Sequence, residues 1–229
     1  MTTPRRLPPQ QREFSAPRQV WYASFGSNMH RSRLECYLSG GRPSGGRRAQ
    51  PGCRDPRPPE RALPLMLPGE LYFALESSLW TGGTAFYDPA GEGRTAAQAW
   101  LVTAGQFSDI AAQEMHRAPG EDLDLREVLT SGRDERGTGR YETLVCAGTV
   151  DGRPVLTFTA PWRRGDVEGN APAESYLRHL ASGLAASHGW SGERIADYLA
   201  TRPGAAGHWS AEEIEALLPP APSEAPLRN

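Results

Sequence analysis

A carboxylate at the end of an apolar helix face is the first group in this sequence that could do chemistry. Phe107, Ile110 and Ala111 recur at the spacing of one helix face in the segment 106–115, and Glu114 continues that face. Glutamate is seldom buried unless it is paired or takes part in a reaction. Burial disfavours its charged form, so such a carboxylate can exchange protons near neutral pH. The alternative is that the helix frays here and Glu114 is simply solvated.

The second chemical feature is a glycine turn between a strand and a helix. Residues 20–25 are β-branched, aromatic or small and predict a mostly buried strand. Gly26 predicts the sharp turn that ends it, and Ser27 and Asn28 are typical N-cap residues for the helix that follows. Such a junction leaves several backbone N–H groups unpaired, which suits an anion. An ordinary strand-to-helix connection is the alternative, because one short glycine turn is a weak signal.

Other chemistries have weaker support. No pair of histidines has the H-x-x-x-H or H-E-x-x-H spacing of a metal motif, so we expect surface histidines and no metal site. The five are His30, His116, His179, His188 and His208. Ser27 could in principle belong to an acyl-transfer triad, but no G-x-S-x-G is present. A capping and binding role for Ser27 is therefore favoured.

Composition excludes several function classes. All 25 basic residues are Arg, which excludes a Lys nucleophile, a Schiff-base lysine and a P-loop lysine. The net charge of −2 favours neither nucleic acid nor an anionic membrane. No apolar run approaches the ~20 residues of a membrane span, and no secretory signal is evident, so we expect a cytoplasmic protein. The Arg, Ala, Gly and Pro bias is typical of a GC-rich bacterial genome. Cys36, Cys53 and Cys146 form no disulfide framework, and Cys146 is expected to be a buried, inert thiol.

Three segments differ in composition from the rest. Residues 1–19 and 219–229 are rich in Pro and are expected to be disordered tails of a single domain, 20–218. The segment 40–61 is rich in Arg, Gly and Pro, with six Arg. A nucleic-acid contact would need interleaved aromatics for base stacking, which it lacks, so a long surface loop is favoured.

The remaining pattern predicts an α+β fold. Strands are expected at 69–75, 80–89 and 97–103, the second with adjacent Gly82 and Gly83 that mark a bulge or a close backbone approach. A polar connection, 117–139, precedes a β-hairpin at 141–160 that turns at Asp151-Gly152. Helices are expected at 175–188, 191–200 and 210–218. Consecutive strands with helices around them fit a small mixed β-barrel or a strongly curved sheet.

Several of these motifs resemble the γ-glutamylcyclotransferase-like family. Phe25-Gly26-Ser27-Asn28-Met29 is similar to its Tyr-Gly-Ser-Asn-Leu/Met substrate-binding loop, with Phe25 where the family usually has Tyr. The segment 109–114 looks like the helix that carries the family's catalytic Glu after a Gln. The segment 80–85 is similar to a Trp-x-Gly-Gly-x-Ala strand of some members, and Tyr141 matches a Tyr that begins a strand. The matched pieces occur in the family's order and cover roughly 21–160.

The resemblance implies an enzyme. Such proteins convert a γ-glutamyl amide into 5-oxoproline and a free amine, with Glu114 as general acid and base. The implied substrate contacts are Phe25, Gly26, Ser27, Asn28, Met29, Gly82, Gly83 and Tyr141. The only expected partner is a small-molecule γ-glutamyl substrate, without metal or cofactor, and the oligomeric state is left open. Because Phe25 replaces the usual Tyr, the alternative is a non-catalytic binding or regulatory module on the same fold. The Arg-rich segment leaves a weaker RNA-associated alternative.

Overall fold

The computed structural model describes residues 16–42, 49–77 and 79–218. These residues form an α+β fold, as the sequence predicts. The strands are β1 (Gln19–Ser24), β2 (Arg61–Pro68), β3 (Glu70–Ala74), β4 (Thr84–Asp88), β5 (Arg94–Thr103), β6 (Arg133–Glu135), β7 (Thr143–Val150) and β8 (Arg153–Thr159). The helices are α1 (Arg31–Ser39), α2 (Ala104–Glu114), α3 (Arg126–Ser131), α4 (Glu174–His188), α5 (Gly192–Ala200) and α6 (Ala211–Ala216). Short 3₁₀ turns occupy Ser27–Met29 and Arg164–Asp166.

The strands form one six-stranded mixed sheet and one two-stranded sheet. The order in the larger sheet is β2-β5-β1-β8-β7-β6, with β1 antiparallel to β5 and parallel to β8. Strands β3 and β4 pair with each other. Because β2 and β6 are free edges of the larger sheet, the described strands form an open mixed sheet and do not close into a barrel.

Strand β1 lies in the middle of the sheet, and both of its faces are buried. Val20 and Tyr22 belong to one hydrophobic cluster, and Trp21 and Ala23 belong to the other. Successive side chains of a strand point to opposite faces, so each face of the sheet has its own apolar core. This arrangement explains why residues 20–23 of β1 are all apolar or aromatic rather than alternating with polar residues.

Helices cover both faces. The cluster with Tyr22 packs against α1, α2 and α3, and the cluster with Trp21 packs against α4 and α5. The helical residues of the first cluster include Leu34, Tyr37, Leu38, Phe107, Ile110, Ala111 and Val128. Those of the second cluster include Leu177, Leu180, Leu184, Ile195 and Leu199. Four predicted helices are confirmed: α2 corresponds to 106–115, α4 to 175–188, α5 to 191–200 and α6 to 210–218. The predicted hairpin that turns at Asp151 is the β7–β8 pair.

Two expectations about regular structure were wrong. The segment 117–139, expected to be a polar connection, contains α3 and β6. Leu125 and Val128 are buried against the first cluster, so tertiary packing stabilises a helix too short to be predicted locally. Residues 80–83 lie outside β4, which begins at Thr84. The expected close backbone approach is nevertheless present, since a Cβ on Gly83 would lie 2.0 Å from the carbonyl oxygen of Asn170.

The structure describes the predicted tails and the Arg-rich segment only in part. Residues 1–15 and 219–229, most of the predicted disordered tails, and 43–48 of the loop lie outside the described residues. Two residues of the predicted N-terminal tail contact the fold: Gln19 belongs to β1, and the carbonyl of Arg18 accepts from Ala104 N at 3.0 Å. No helix in the described ranges is long and apolar enough to cross a membrane.

Residues 54–57 of the Arg-rich segment are hydrogen-bonded to side chains of α2. The Gln106 amide donates to the carbonyls of Asp55 (3.1 Å) and Arg57 (2.9 Å). The buried Asp109 carboxylate accepts from the backbone N–H of Arg54 at 2.9 Å and from its guanidinium at 3.0 Å. These polar groups of α2 are therefore buried against backbone donors and acceptors of the loop, which fixes the helix on the sheet.

Candidate active site

Glu114 is the last residue of α2, and the helix is fixed at both ends. At its start, Thr103 forms a capping box with Gln106, each side chain bonded to the other's backbone N–H at 3.0 Å. Along the helix, Phe107 and Ile110 are fully buried. Glu114 itself is half-buried, with its carboxylate between the core and a cavity. The alternative of a freely solvated Glu114 therefore does not describe this side chain.

Asn28 connects the glycine turn to this carboxylate. Its Nδ2 donates to Oε1 of Glu114 at 2.9 Å and to the hydroxyl of Tyr22 at 3.2 Å. Its backbone carbonyl accepts from the indole N–H of Trp100 at 3.1 Å. Asn28 is 3% exposed, and its Oδ1 is buried with no hydrogen-bond partner in the described part of the chain. The turn and the end of α2 are thus joined by one amide side chain.

The turn differs in detail from the sequence-based expectation. Residues Ser27–Met29 form a 3₁₀ turn, and α1 begins only at Arg31, with His30 as its N-cap and no side-chain cap. Ser27 and Asn28 are therefore not N-caps of α1. Gly26 has φ −113°, so a left-handed conformation is not what places glycine there. A Cβ at this position would lie 3.6 Å from the hydroxyl of Tyr176, an ordinary contact.

Four tyrosines surround the Glu114 region. Burial raises the pKa of Tyr22 and of Tyr37, and the charge of Glu114 raises both further. Burial is also the main cause that raises the pKa of Tyr141 and of Tyr176. All four phenols are therefore protonated over the physiological range, and they can donate hydrogen bonds to a ligand or to the carboxylate.

Two adjoining cavities open onto these residues. The larger has a volume of about 820 Å³, and the smaller has about 50 Å³. Both are lined by Ser27, Glu114, Tyr141 and Tyr176. The smaller is also lined by 22–26 and Asn28, and the larger also by Arg33, Tyr37, Trp80, Gln113, Arg117 and Arg140, among others. Glu114 and the glycine turn therefore line the same smaller cavity. Glu114 and Ser27 also line the larger one, which is large enough for a small organic molecule.

An aromatic stack forms one side of the larger cavity. Trp80 is stacked on Tyr176, with ring centroids 5.5 Å apart, and on His179 at 5.1 Å. Nε2 of His179 lies 3.1 Å from the carbonyl oxygen of Ser27. Burial lowers the pKa of His179, so this ring is neutral at physiological pH and can donate to that carbonyl. The stack therefore contacts the glycine turn through His179.

Arg33 is a buried cation at the same cavity. It is 8% exposed, and its Nε and Nη1 are buried with no hydrogen-bond partner among the described residues. Its guanidinium carbon lies 5.8 Å from the centre of the Trp80 ring. The other two arginines at the cavity are exposed and already engaged, Arg117 with Glu142 and Arg140 with the carbonyl of Glu76 at 2.7 Å.

The structure brings some of the expected contact residues together and separates others. Phe25, Gly26, Ser27, Asn28 and Tyr141 line the smaller cavity with Glu114. The other three expected residues line neither cavity. Met29 is buried in the core against Gly183 of α4. Gly82 and Gly83 pack against the backbone of 170–173. Core and backbone atoms surround Met29, Gly82 and Gly83, so their expected contact with a substrate stays a prediction that neither cavity supports.

Sequence reasoning missed several residues of the site. Tyr37 of α1 and Tyr176 of α4 are not among the expected contacts, although each reaches a cavity. Arg33 was not singled out at all. It lies four residues before Tyr37 and thus on the same helix face, which is the signal that could have found it.

The histidines and cysteines form no metal site among the described residues, although His116 lines the larger cavity. The described residues contain no cluster of three or more His, Cys, Asp or Glu side chains that could hold a metal ion. The three cysteines are free, and Cys146 is half-buried rather than buried as expected. The Cys53 thiol points at the carbonyl of Tyr37 (3.3 Å), and burial raises its pKa to about 12.

Comparison with known proteins gives distant similarities. No family model matches the chain. Histone deacetylase 5 of Arabidopsis thaliana is 31% identical over 202 residues, which are 79% of this chain and 30% of that protein. The chain thus spans less than a third of the length of the curated relative that it matches.

Solved structures with a similar fold include three that differ in how much of their own length is covered. They are a gamma-glutamyl cyclotransferase (TM-score 0.47, 16% identity, 87% of this chain and 97% of that chain), an uncharacterized protein from Homo sapiens (0.46, 16%, 87% and 98%) and YkqA from Bacillus subtilis (0.42, 15%, 81% and 55%). One of the three carries the name of the family that the sequence motifs resemble.

Proposed function

We propose that this protein is a γ-glutamylcyclotransferase-like enzyme that cleaves a γ-glutamyl amide by attack of the substrate's own α-amine. The observation that carries the proposal is the shared cavity: Glu114 and the turn 26–28 line the same space, and Asn28 bonds directly to Glu114. The sequence motifs that resemble the family are thus neighbours in space although 86 positions separate Asn28 from Glu114.

The reaction requires one proton acceptor that later becomes a donor. The substrate's α-ammonium cannot attack until it loses a proton, and the Glu114 carboxylate is placed to take it. The amine nitrogen then bonds to the γ-carbonyl carbon and closes a five-membered ring. The ring nitrogen bears two hydrogens after the attack and must lose one of them as the bond from that carbon to the leaving nitrogen breaks. The leaving nitrogen receives the proton held by Glu114 and takes up this second proton as well, so the amine departs as an ammonium. The products are 5-oxoproline and a free amine, and the carboxylate is regenerated.

The chain's own groups can orient such a substrate. The carboxylate of Glu114 and the unpaired Oδ1 of Asn28 are two acceptors for the ammonium at the smaller cavity. The first backbone N–H groups of the 3₁₀ turn, at Ser27 and Asn28, have no helical acceptor behind them and can donate to the α-carboxylate or to a developing oxyanion. Because the attack is intramolecular, orientation supplies a large part of the rate.

A non-catalytic binding module is the second candidate, and Phe25 is the observation that favours it. Phe25 is 6% exposed, packs against Tyr87 with ring centroids 5.6 Å apart, and lines the smaller cavity without a hydroxyl. A module of this kind would bind γ-glutamyl compounds without converting them.

The proposal is tested by incubating the protein with γ-glutamyl amines and γ-glutamyl peptides and following products by mass spectrometry. We expect 5-oxoproline and the free amine in equal amounts. The N-acetyl derivative of each substrate is the control, because it lacks the nucleophilic amine and should give no product. Free glutamate in place of 5-oxoproline would show that water is the nucleophile and would contradict the proposal. Binding without any product would favour the second candidate.

A further inference from the structure

We propose that His179 is a positioning residue that fixes and polarises the peptide bond between Ser27 and Asn28, so that the Asn28 N–H binds the α-carboxylate of the substrate's γ-glutamyl group. This inference rests on the proposed function and adds to it how the site holds that carboxylate. Three observations carry it: one hydrogen bond, one aromatic stack and the position of His179 outside both cavities.

The first argument is the direction of the hydrogen bond between α4 and the glycine turn. Nε2 of His179 lies 3.1 Å from the carbonyl oxygen of Ser27. Because a carbonyl oxygen only accepts, Nε2 carries the hydrogen and donates it. The peptide bond that follows Ser27 is trans, so its carbonyl and the N–H of Asn28 point to opposite sides. His179 therefore holds one side of a peptide whose N–H belongs to a residue of the smaller cavity.

The second argument is the effect of this bond on the N–H. A hydrogen bond to a carbonyl polarises its peptide, and linked hydrogen bonds strengthen one another by perhaps 10–30%. The other donor to the Ser27 carbonyl is the backbone N–H of His30, at the longer distance of 3.4 Å. The Asn28 N–H itself has no acceptor in the described part of the chain. His179 thus contributes the shorter of the two bonds that polarise a free donor.

The third argument is that His179 can act only through the turn. Its ring is stacked on Trp80, with centroids 5.1 Å apart and planes inclined by 30°, and it lines neither cavity. Trp80 is held in turn by its stack on Tyr176. The imidazole is therefore fixed in place and kept away from a substrate in either cavity, which is what a positioning residue requires.

The substrate group that this donor meets follows from the proposed reaction. The α-ammonium lies at Glu114 and at Oδ1 of Asn28 before it loses its proton. The α-carboxylate is bonded to the same carbon as that ammonium, so it remains beside Asn28. A polarised N–H in the first turn of a helix is suited to an anion. The backbone of Asn28 is thus assigned to the carboxylate and its side chain to the ammonium.

The test compares 5-oxoproline with 2-pyrrolidinone, the same lactam without the carboxylate. Both are titrated into ¹⁵N-labelled protein and followed by amide NMR. We expect the parent protein to bind 5-oxoproline more tightly and the Asn28 signal to move on binding. His179→Phe keeps a ring beside Trp80 but cannot donate, so its affinity for 5-oxoproline should fall by about threefold to tenfold while that for 2-pyrrolidinone is unchanged. Equal binding of the two lactams by the parent, or an unchanged preference in His179→Phe, would overturn the proposal.

His179→Gln and His179→Leu repeat the comparison without a ring. The two side chains are similar in size, but only glutamine can donate to the Ser27 carbonyl. We expect His179→Gln to restore the preference for 5-oxoproline and to keep the Asn28 nitrogen shift closer to that of the parent, because a hydrogen bond to a carbonyl changes the shift of the next nitrogen. Equal affinities in these variants would show that only the stack matters and would overturn the proposal. This pair decides the question if His179→Phe does not fold.

His188→Phe is the matched control. His188 is on the same helix, is half-buried, and its Nε2 lies 3.2 Å from the carbonyl of Ala97 in β5. The substitution removes the same kind of hydrogen bond without touching the turn, so the preference for 5-oxoproline should remain parental. An equal loss in His188→Phe would mean that the effect is not specific to the turn and would contradict the proposal.

These binding measurements need no turnover, so they separate this inference from the proposed function. A preference for 5-oxoproline that depends on His179 supports the inference even if no γ-glutamyl amide is converted. Turnover by a protein whose preference does not depend on His179 overturns the inference and leaves the proposed function standing. In an active parent, His179→Phe should raise KM with little change in kcat, because the carboxylate contact is made equally in the ground state and the transition state.

Discussion

Glu114 is held by contacts that a glutamine can also make. Its Oε1 accepts from Nδ2 of Asn28 at 2.9 Å, and the amide oxygen of glutamine would accept the same bond. The apolar face of α2, with Phe107 and Ile110, does not depend on the carboxylate. The charge and the proton can therefore be removed with little effect on packing, which isolates the chemical role of this residue.

We expect Glu114→Gln to fold like the parent and to lose activity by about 10²–10⁴-fold, the usual effect of removing a general acid or base. Circular dichroism checks the fold, and the mass-spectrometric assay checks the rate. Glu127→Gln is the control, because Glu127 is an exposed carboxylate in the first turn of α3. Parental activity in folded Glu114→Gln would show that another group moves the proton.

At the scale of secondary-structure elements, the site depends on how segments approach one another. Residues 80–83 precede β4 and are not paired as part of it. In this position the Trp80 side chain lies against Tyr176 and lines the larger cavity. The backbone can follow this path because Gly83 has no Cβ and can therefore lie directly against the backbone carbonyl of Asn170. The Trp80 side chain is thus positioned by a glycine that itself touches no cavity.

Gly83→Ala should lower the free energy of unfolding by at least about 2–3 kcal/mol, because its Cβ would overlap the backbone at Asn170. Urea unfolding followed by tryptophan fluorescence measures the loss. Gly165→Ala is the matched control, since nothing lies within 4 Å of a Cβ there, and its effect should stay within about 0.5 kcal/mol. Equal stabilities of the two variants would contradict the close approach.

For the whole molecule, half-buried histidines make stability depend on pH. Burial lowers the pKa of His188 from the ordinary 6.5, and the nearby Arg194 lowers it further. As the pH falls through 6.5, the unfolded chain takes up this proton before the folded protein does. The unfolded state is thereby favoured, so stability is highest above pH 6.5 and is lost as the pH falls below it.

His188→Gln should reduce the loss of Tm between pH 7.5 and 5.5. Glutamine does not titrate, and its amide can still donate to the carbonyl of Ala97, which lies 3.2 Å from Nε2 of His188. His208→Gln is the control, because His208 is exposed, and it should follow the parent. A thermal shift series at constant ionic strength measures the difference. Identical pH profiles for the two variants would contradict a contribution from His188.

The sequence by itself determined the parts of this protein whose signal is local. The apolar run of β1, the apolar face before Glu114, the Asp151-Gly152 turn and the faces of α4 and α5 each follow from spacing within one segment. The α+β class followed from their order, and the pairing of the glycine turn with Glu114 as one candidate site came from the family's motifs.

Only the tertiary structure decided which side chains share the site. Arg33 and Tyr37 reach the cavity because α1 packs beside α2, and Trp80 reaches it because Gly83 passes over Asn170. Met29, although next to Asn28 in sequence, points into the core against α4. These contacts join segments distant in sequence, and their energies come from burial and from backbone approach. No periodicity within one segment reports them, which is why α3 and the unpaired charge of Arg33 became visible only in the folded chain.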